Sequence, residues 1–212
     1  MRTRFAVTSL IVVLGLAAAQ SAEAQRRRGL VDVTPRSDRH GFWMNVGVGA
    51  GTESSRLEPE TSYTSGLTKP VFSFRLGGTV NPYLRLGGEL TGWTDRHYDA
   101  DLDNNVTSYV GGAFLIGQFY PSPRAGLFFK GGLGITRSGE NPDGPDDLHE
   151  DGFGYTVGAG YEVQLSRSLY ITPTVDFLKH RSQIRDLDGT LLPPLHDRVV
   201  SFGVALTIQP GR

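Results

Sequence analysis

In the stretch "HRSQ", His180 and Ser182 stand two residues apart, so on an extended chain they share a face, as a general base and a hydroxyl nucleophile must. A triad also needs an acid, and no Glu follows Glu162, which leaves only Asp186 or Asp188 for that place. "DADLDNN", Asp99 to Asn105, opens like a calcium loop, but an EF-hand requires Gly where Asn104 stands and Glu where Val110 stands. The glycine clusters "GVGAG" and "GGLG" lack the Lys-Ser/Thr ending of a phosphate loop. A second kind of chemistry is more widespread. Arg75, Arg85, Glu89, Lys130, Glu162 and Asp176, with Gln118 and Gln164, occur singly among glycines and threonines on one face of alternating segments. Buried charges must be paired or they cost several kcal/mol. These six therefore predict interior ion pairs, and no catalytic residue, cofactor or metal site is expected.

The segments that carry them are strands. In "GFGYTVGAGYEVQLS", Gly152 to Ser166, one face reads Phe153, Tyr155, Val157, Ala159, Tyr161, Val163 and Leu165. The other reads Gly154, Thr156, Gly158, Gly160, Glu162 and Gln164. The period is two. A soluble sheet fills its water-facing side with long charged residues, whereas Gly and Thr suit a cramped interior, so the aromatic and branched face looks outward into something apolar. The same pattern puts Phe42, Met44, Val46 and Val48, then Phe72, Phe74, Leu76 and Val80, then Leu84, Leu86 and Leu90 on outward faces. It continues with Leu127, Phe129, Leu133 and Ile135, then Leu169, Ile171, Val175 and Phe177, then Val200, Phe202, Val204, Leu206 and Ile208. The fourth segment, "TSYVGGAFLIGQFY", is apolar on both faces, and we read Leu115 and Phe119 outward with Gln118 inward. Pairing Val80 with Leu84 across "NPY" sets Arg75 opposite Glu89. Lys130 and Glu162 lie equally few residues from their tight turns, which predicts that they pair. Pro173, in a strand but without an N–H to give, predicts a bulge.

The chain has 212 residues, 28 of them Gly and none Cys, and a net charge of −1. Arg2, Arg4, the apolar run Phe5 to Ala19 and Ala22-Glu23-Ala24 read as a signal peptide over 1–24, too short to remain as a spanning helix. Residues 25–40, "QRRRGLVDVTPRSDRH", read as a flexible polar leader, and 41–209 as the single domain. Its eight strands are joined by long connections at 52–69, 95–105, 138–151 and 182–197, and by short ones at 81–83, 121–126 and 166–168. Long loops at one end and tight turns at the other predict an all-β, eight-stranded antiparallel up-and-down transmembrane β-barrel with both termini periplasmic. Lipid offers no hydrogen-bond partner to a sheet edge, so the sheet must close. Eight strands leave a bore that side chains fill.

"FFKGGLGITR", "GYTVGAGYEVQLSRSLYITPTVDF" and "VSFGVALTI" resemble the small outer-membrane β-barrel superfamily that includes OmpA- and OmpX-type proteins, over about Gly41 to Ile208. The resemblance implies the cell outer membrane of a Gram-negative envelope and contact with the outer-membrane assembly machinery. Such barrels often end on an aromatic residue, whereas this chain ends "TIQPGR", which moves the expected insertion signal inward to Phe202. "HRSQ" resembles the H-x-S element of PagL-type lipid A deacylases, small barrels too, but strand parity turns His180 inward, away from lipid.

Charge placement is the remaining clue. The four long connections hold 16 of the 22 acidic residues and only 4 of the 21 basic ones. Just below them Arg137, Lys179, Arg181 and Arg198 form a candidate rim for lipopolysaccharide phosphates. The expected partners are outer-membrane lipid and lipopolysaccharide, with an unidentified surface ligand for the loops and no nucleic acid. The expected role is structural or interactive: envelope integrity or surface recognition by a barrel plugged with ion pairs. A narrow, porin-like passive pore is the alternative, followed by a lipid A-modifying enzyme. A soluble lipocalin-like barrel would need the opposite facing.

Overall fold

The computed structural model describes residues 39–59, 62–63, 66–99, 104–142, 148–166, 168–182 and 194–209. The strands are β1 (Gly41–Leu57), β2 (Leu67–Asn81), β3 (Leu84–Asp99), β4 (Asn104–Phe119), β5 (Leu127–Pro142), β6 (Leu148–Tyr161, resuming at Val163–Gln164), β7 (Leu169–Ser182) and β8 (Leu195–Ile208). Each pairs antiparallel with the next, and β8 pairs with β1, so the sheet closes as an eight-stranded up-and-down barrel. Strands of 14 to 17 residues exceed the roughly 9–11 needed to cross the hydrocarbon. The long connections are correspondingly shorter than the sequence suggests, because their polar ends continue the ladders beyond the lipid.

Facing follows the alternation. Val48, Phe72, Leu90, Leu115, Phe119, Phe129, Phe153 and Phe202 all turn outward and are exposed, while Asn45, Gln118, Thr156 and Thr172 are buried in the lumen. Asn45 Nδ2 donates to Thr207 Oγ1 at 2.7 Å, and Thr207 meets Thr172 at 2.8 Å, forming a polar layer over the lumenal side of the adjoining strands β1, β8 and β7. Toward the loop end the lumen holds an apolar cluster. Val71, Trp93, Val110, Phe114, Leu178 and Val199 pack there, and Trp93 Nε1 donates to the Gly51 carbonyl at 3.0 Å.

Two expectations about register need correction. Arg75 lies opposite Glu89, but below it the ladder slips: Thr79 pairs with Arg85 and Asn81, not Val80, pairs with Leu84. Val80 is the extra residue, a bulge between Thr79 and Asn81 just before the tight "NPY" turn. Pro173 makes no bulge, since Thr172, Pro173 and Thr174 pair in order with Ala205, Val204 and Gly203. Its other neighbour is where β6 is broken: that ladder stops at Gly160–Thr174 and resumes at Val163–Ile171. The missing donor falls at a gap. On the other side of the gap the Glu162 N–H continues the β5–β6 register, donating to the Gly126 carbonyl at 2.9 Å.

Candidate functional site: the charged lumen and the basic outer rim

Four strands aim charges at the middle of the lumen. Arg75 on β2 donates through Nε to Glu89 Oε1 at 3.0 Å and through Nη2 to Asp176 Oδ2 at 2.6 Å. Lys130 on β5 donates to both Glu89 oxygens, at 2.7 and 2.6 Å, and lies 2.8 Å from Asp176 Oδ1. Two cations and two carboxylates thus alternate around a neutral square. Gly158, opposite both Lys130 and Asp176 in the ladder, makes room for it: a Cβ there would meet Asp176 Oδ1 at 2.2 Å.

A second network closes the short-turn end. Arg85 Nη1 donates to Glu162 Oε1 at 2.5 Å and to Tyr120 Oη at 2.7 Å, and Nη2 donates to Gln209 Oε1 at 2.5 Å. Arg39, which the sequence reading leaves in the polar leader, is buried here. Its guanidinium sits 3.9 Å from the Tyr120 ring centroid, donates to the Pro123 and Ala125 carbonyls at 2.8 and 2.6 Å, and reaches Glu162 Oε2 at 3.4 Å. Gln209 Nε2 also donates to the His40 carbonyl at 3.0 Å, fixing the chain where it enters the barrel. Residues 1–38, which hold the expected signal peptide and the rest of the expected leader, lie outside the described residues.

The expected Lys130–Glu162 pair is therefore not formed. Lys130 pairs in the ladder with Gly158, four residues along β6 from Glu162. Counting residues from the turns assumes that neighbouring hairpins start level, and the stagger that closes a barrel removes that equality.

His180 is fully buried in the lumen near the loop end, with Nδ1 at 2.5 Å from Thr136 Oγ1 and Nε2 at 3.1 Å from Ser138 Oγ. Asp197 approaches the same Nε2, at 4.0 Å. In a Ser-His-Asp relay the acid holds the nitrogen opposite to the one that faces the nucleophile. Here both groups address one nitrogen and a threonine hydroxyl takes the other, so the cluster lacks that order. The side chain of Ser182, and the residues Asp186 and Asp188, lie outside the described residues, as do Asp101 and Asp103 of the calcium-like stretch. No group of metal-ligating side chains occurs among the described residues.

On the outer wall the ladders gather the basic residues of β7 and β8. Lys179 pairs directly with Arg198, and Arg181 pairs with His196, whose other neighbour is Arg56. Like charges directly opposite each other on a sheet are unfavourable without an anion or an aromatic between them. Part of the compensation is visible: the Arg198 guanidinium lies 3.8 Å from the Tyr63 ring centroid and that of Arg56 5.4 Å from it. His196 Nε2 is 2.9 Å from Glu58 Oε1, an interaction that holds the exposed Glu58 carboxyl below its ordinary range. Arg137 stands apart on β5 in a bidentate pair with Asp151, at 2.6 and 3.0 Å. Sequence reasoning missed Arg56 and His196 because the first and last strands extend into segments that read as loops, and Tyr63 because it lies in the connection between β1 and β2.

The fold has analogues among solved structures. The attachment invasion locus protein Ail of Yersinia pestis, in a complex with the heparin analogue sucrose octasulfate, superposes with a TM-score of 0.50 at 9% identity, covering 79% of this chain and 99% of Ail. Neisserial surface protein A superposes with a TM-score of 0.51 at 13% identity, covering 80% and 97%. No curated protein sequence matches the chain. The family model described as the outer membrane protein beta-barrel domain matches residues 8–206, and with a closed eight-stranded barrel of outward aromatic and branched residues already in view, the chain belongs to that family of the cell outer membrane.

Proposed function

We propose that this protein is a closed, non-catalytic barrel of the outer membrane whose role is structural and interactive, with its interior sealed by ion pairs and its basic rim set against lipopolysaccharide phosphates. The observation that carries the reading is the succession of layers across one bore. From the short-turn end these are the Arg39–Glu162–Arg85–Tyr120–Gln209 network, the Asn45–Thr207–Thr172 layer, the Arg75–Glu89–Lys130–Asp176 square and the apolar packing around Trp93 and Phe114. Two voids that border Asp176 hold about 10 and 20 Å³, room for about one water each. A hydrated ion has no path through such layers unless several move together.

Planar-bilayer recording tests this directly. The closed reading expects membranes that stay at baseline after insertion is verified, and steady, voltage-independent conductance would overturn it in favour of the narrow pore. The same geometry supports assigning no enzymatic step to His180, whose ring is inside the wall and bonded on both sides. Purified protein incubated with lipid A should release no fatty acid, and release that is lost in His180→Ala would refute that assignment.

A further inference from the structure

The outer wall is not uniformly covered. The four most exposed large apolar side chains among the described residues are Leu115 at 80%, Phe153 at 78%, Leu133 at 73% and Ile135 at 64%. All four stand together on β4, β5 and β6, as the pairs Leu115–Leu133 and Ile135–Phe153. They stand proud because the wall beside them is sunk. Ala113 pairs with Ile135 and Gly88 pairs with Leu115, and a Cβ added at Gly88 would have no heavy atom nearer than 3.9 Å. The result is a trough of about 740 Å³, within the range of ligand sites, that joins through Ala113, Leu133, Ile135 and Phe153 to a second hollow bordered by Arg137 and Arg181.

The trough leads to the rim because the barrel is staggered. A single ladder row runs Leu76, Gly88, Leu115, Leu133, Tyr155, Lys179, Arg198. Leu115 lies four residues from the short-turn end of β4, whereas Lys179 lies ten from that end of β7, so the row climbs from the hydrocarbon to the loop side. At roughly 4.8 Å per strand, Gly88 and Lys179 are about 19 Å apart along it, the reach of an extended acyl chain. The next row ends the same way, passing from Leu90 through Ala113, Ile135 and Phe153 to Arg181, His196 and Arg56.

We propose that this oblique surface is a binding site for one phosphorylated, acylated glycolipid of the lipid A class. One acyl chain lies in the trough over Gly88 and Ala113, the aromatic rings of Phe153 and Tyr155 take the sugar–acyl junction, and Lys179, Arg181 and Arg198 take phosphate. The occupant follows from charge complementarity in place. The wall faces outer-membrane lipid, the cations stand at the loop end of the row, and phosphate accepts charge-assisted bonds from both lysine and arginine. The inference rests on the reading of the rim as phosphate-facing and adds to it a chain subsite that a purely electrostatic rim does not have.

Native mass spectrometry of the folded protein in detergent tests the site, with lipid A, dephosphorylated lipid A, phosphatidylglycerol and inorganic phosphate as probes. The expected result is retained lipid A, with retention at least fivefold lower for each of the other three. Gly88→Leu and Ala113→Leu, which fill the trough from the lipid side, should each reduce lipid A retention several-fold, and so should Lys179→Ala with Arg181→Ala. Heat-modifiable gel mobility confirms folding, and Gly92→Leu, whose added Cβ meets nothing within 4 Å, is a substitution outside the trough that should leave retention unchanged. Loss in the rim variants with no change in the trough variants overturns the chain subsite and leaves the rim reading standing. No change in the rim variants overturns both. Equal retention of phosphatidylglycerol overturns the choice of glycolipid.

Discussion

Removing Glu89 is the sharpest test of how the lumen is held together. Glu89 accepts two bonds from Lys130 and one from Arg75, while Asp176 accepts one from each cation. Glu89→Ala therefore leaves two cations, each at most 1% exposed in its side chain, sharing one carboxylate. Breaking a buried pair by deleting one partner costs about 3–5 kcal/mol, because the surviving charge stays desolvated. Asp176 remains in contact with both cations, which places the expected loss at the lower end, about 3 kcal/mol.

The double variant Glu89→Met with Lys130→Met removes one charge of each sign. Arg75 and Asp176 then remain as a neutral pair at 2.6 Å, in a site refilled by apolar side chains of similar length. Replacement of a whole buried pair by packed apolar groups is close to neutral, so the double variant should lie about 2 kcal/mol or more above the sum of the two single variants. Urea unfolding in detergent, followed by the fluorescence of Trp43 and Trp93, reads all four corners of the cycle. A coupling energy near zero, with single losses that simply add, would refute the claim that these charges act as one network.

Three further outcomes follow from the same structure. Glu162→Ala should destabilise by about 3 kcal/mol through stranded Arg85 and Arg39, and Lys130→Met should not rescue it; rescue would show that the two networks are one. Phe114→Ala, which empties the apolar layer, should cost about 3–5 kcal/mol by the same unfolding assay, and a loss under 1 kcal/mol would mean that the layer is not packed. Val157→Arg, on the outward face of β6, should cost about 2–4 kcal/mol if it lies at the bilayer midplane, and a spin label at 157 should be quenched by lipid-dissolved oxygen while one at the buried Thr156 is shielded, the reverse pattern being fatal to the facing.

The outer surface was legible because lipid imposes one rule on every strand, and a period of two is visible without knowing any partner. Even β4, whose membrane stretch is apolar on both faces, yielded to Gln118, the polar residue near its short-turn end. Who pairs with whom across the lumen was not legible in the same way. Arg75 and Glu89 are ladder neighbours on one hairpin, where the turn fixes the register, but Arg85 and Glu162 are 77 residues apart and meet only through the shear of the closed sheet. Arg39 was hidden for a different reason. It lies among polar, aperiodic residues, and its burial depends on the "PSPRAG" turn offering the Pro123 and Ala125 carbonyls, which no local pattern announces. The loop boundaries failed because "TESSRL" and "SGENP" carry no lipid-facing signal, yet their backbones continue the ladder in water.

Alternation also explains why one short chain can keep its two surfaces independent. Residues paired across a ladder row share one face of the wall, and the period of two along each strand sends successive rows to opposite sides. The row of Lys130, Gly158 and Asp176 serves the ion-pair square, and the outward row through Leu133, Tyr155 and Lys179, three residues along β5 and β7, serves the trough and rim. Substitutions on one row change side-chain chemistry on one face only, because no side chain crosses the sheet. The lumen can therefore be tuned for closure without disturbing what the outer wall presents to lipid. The glycines mark where that freedom ends. A Cβ at the lumenal Gly77 would meet the Leu86 carbonyl at 2.1 Å, and one at Gly87 would meet the Leu76 carbonyl at 2.2 Å, whereas one at the outward Gly78 meets nothing within 4 Å. Lumenal glycines such as Gly77 and Gly87 are required by crowding, whereas at the outward Gly78, Gly88 and Gly92 the protein itself leaves room for a side chain, so what stands there is set by the surface presented to lipid and not by the packing of the barrel.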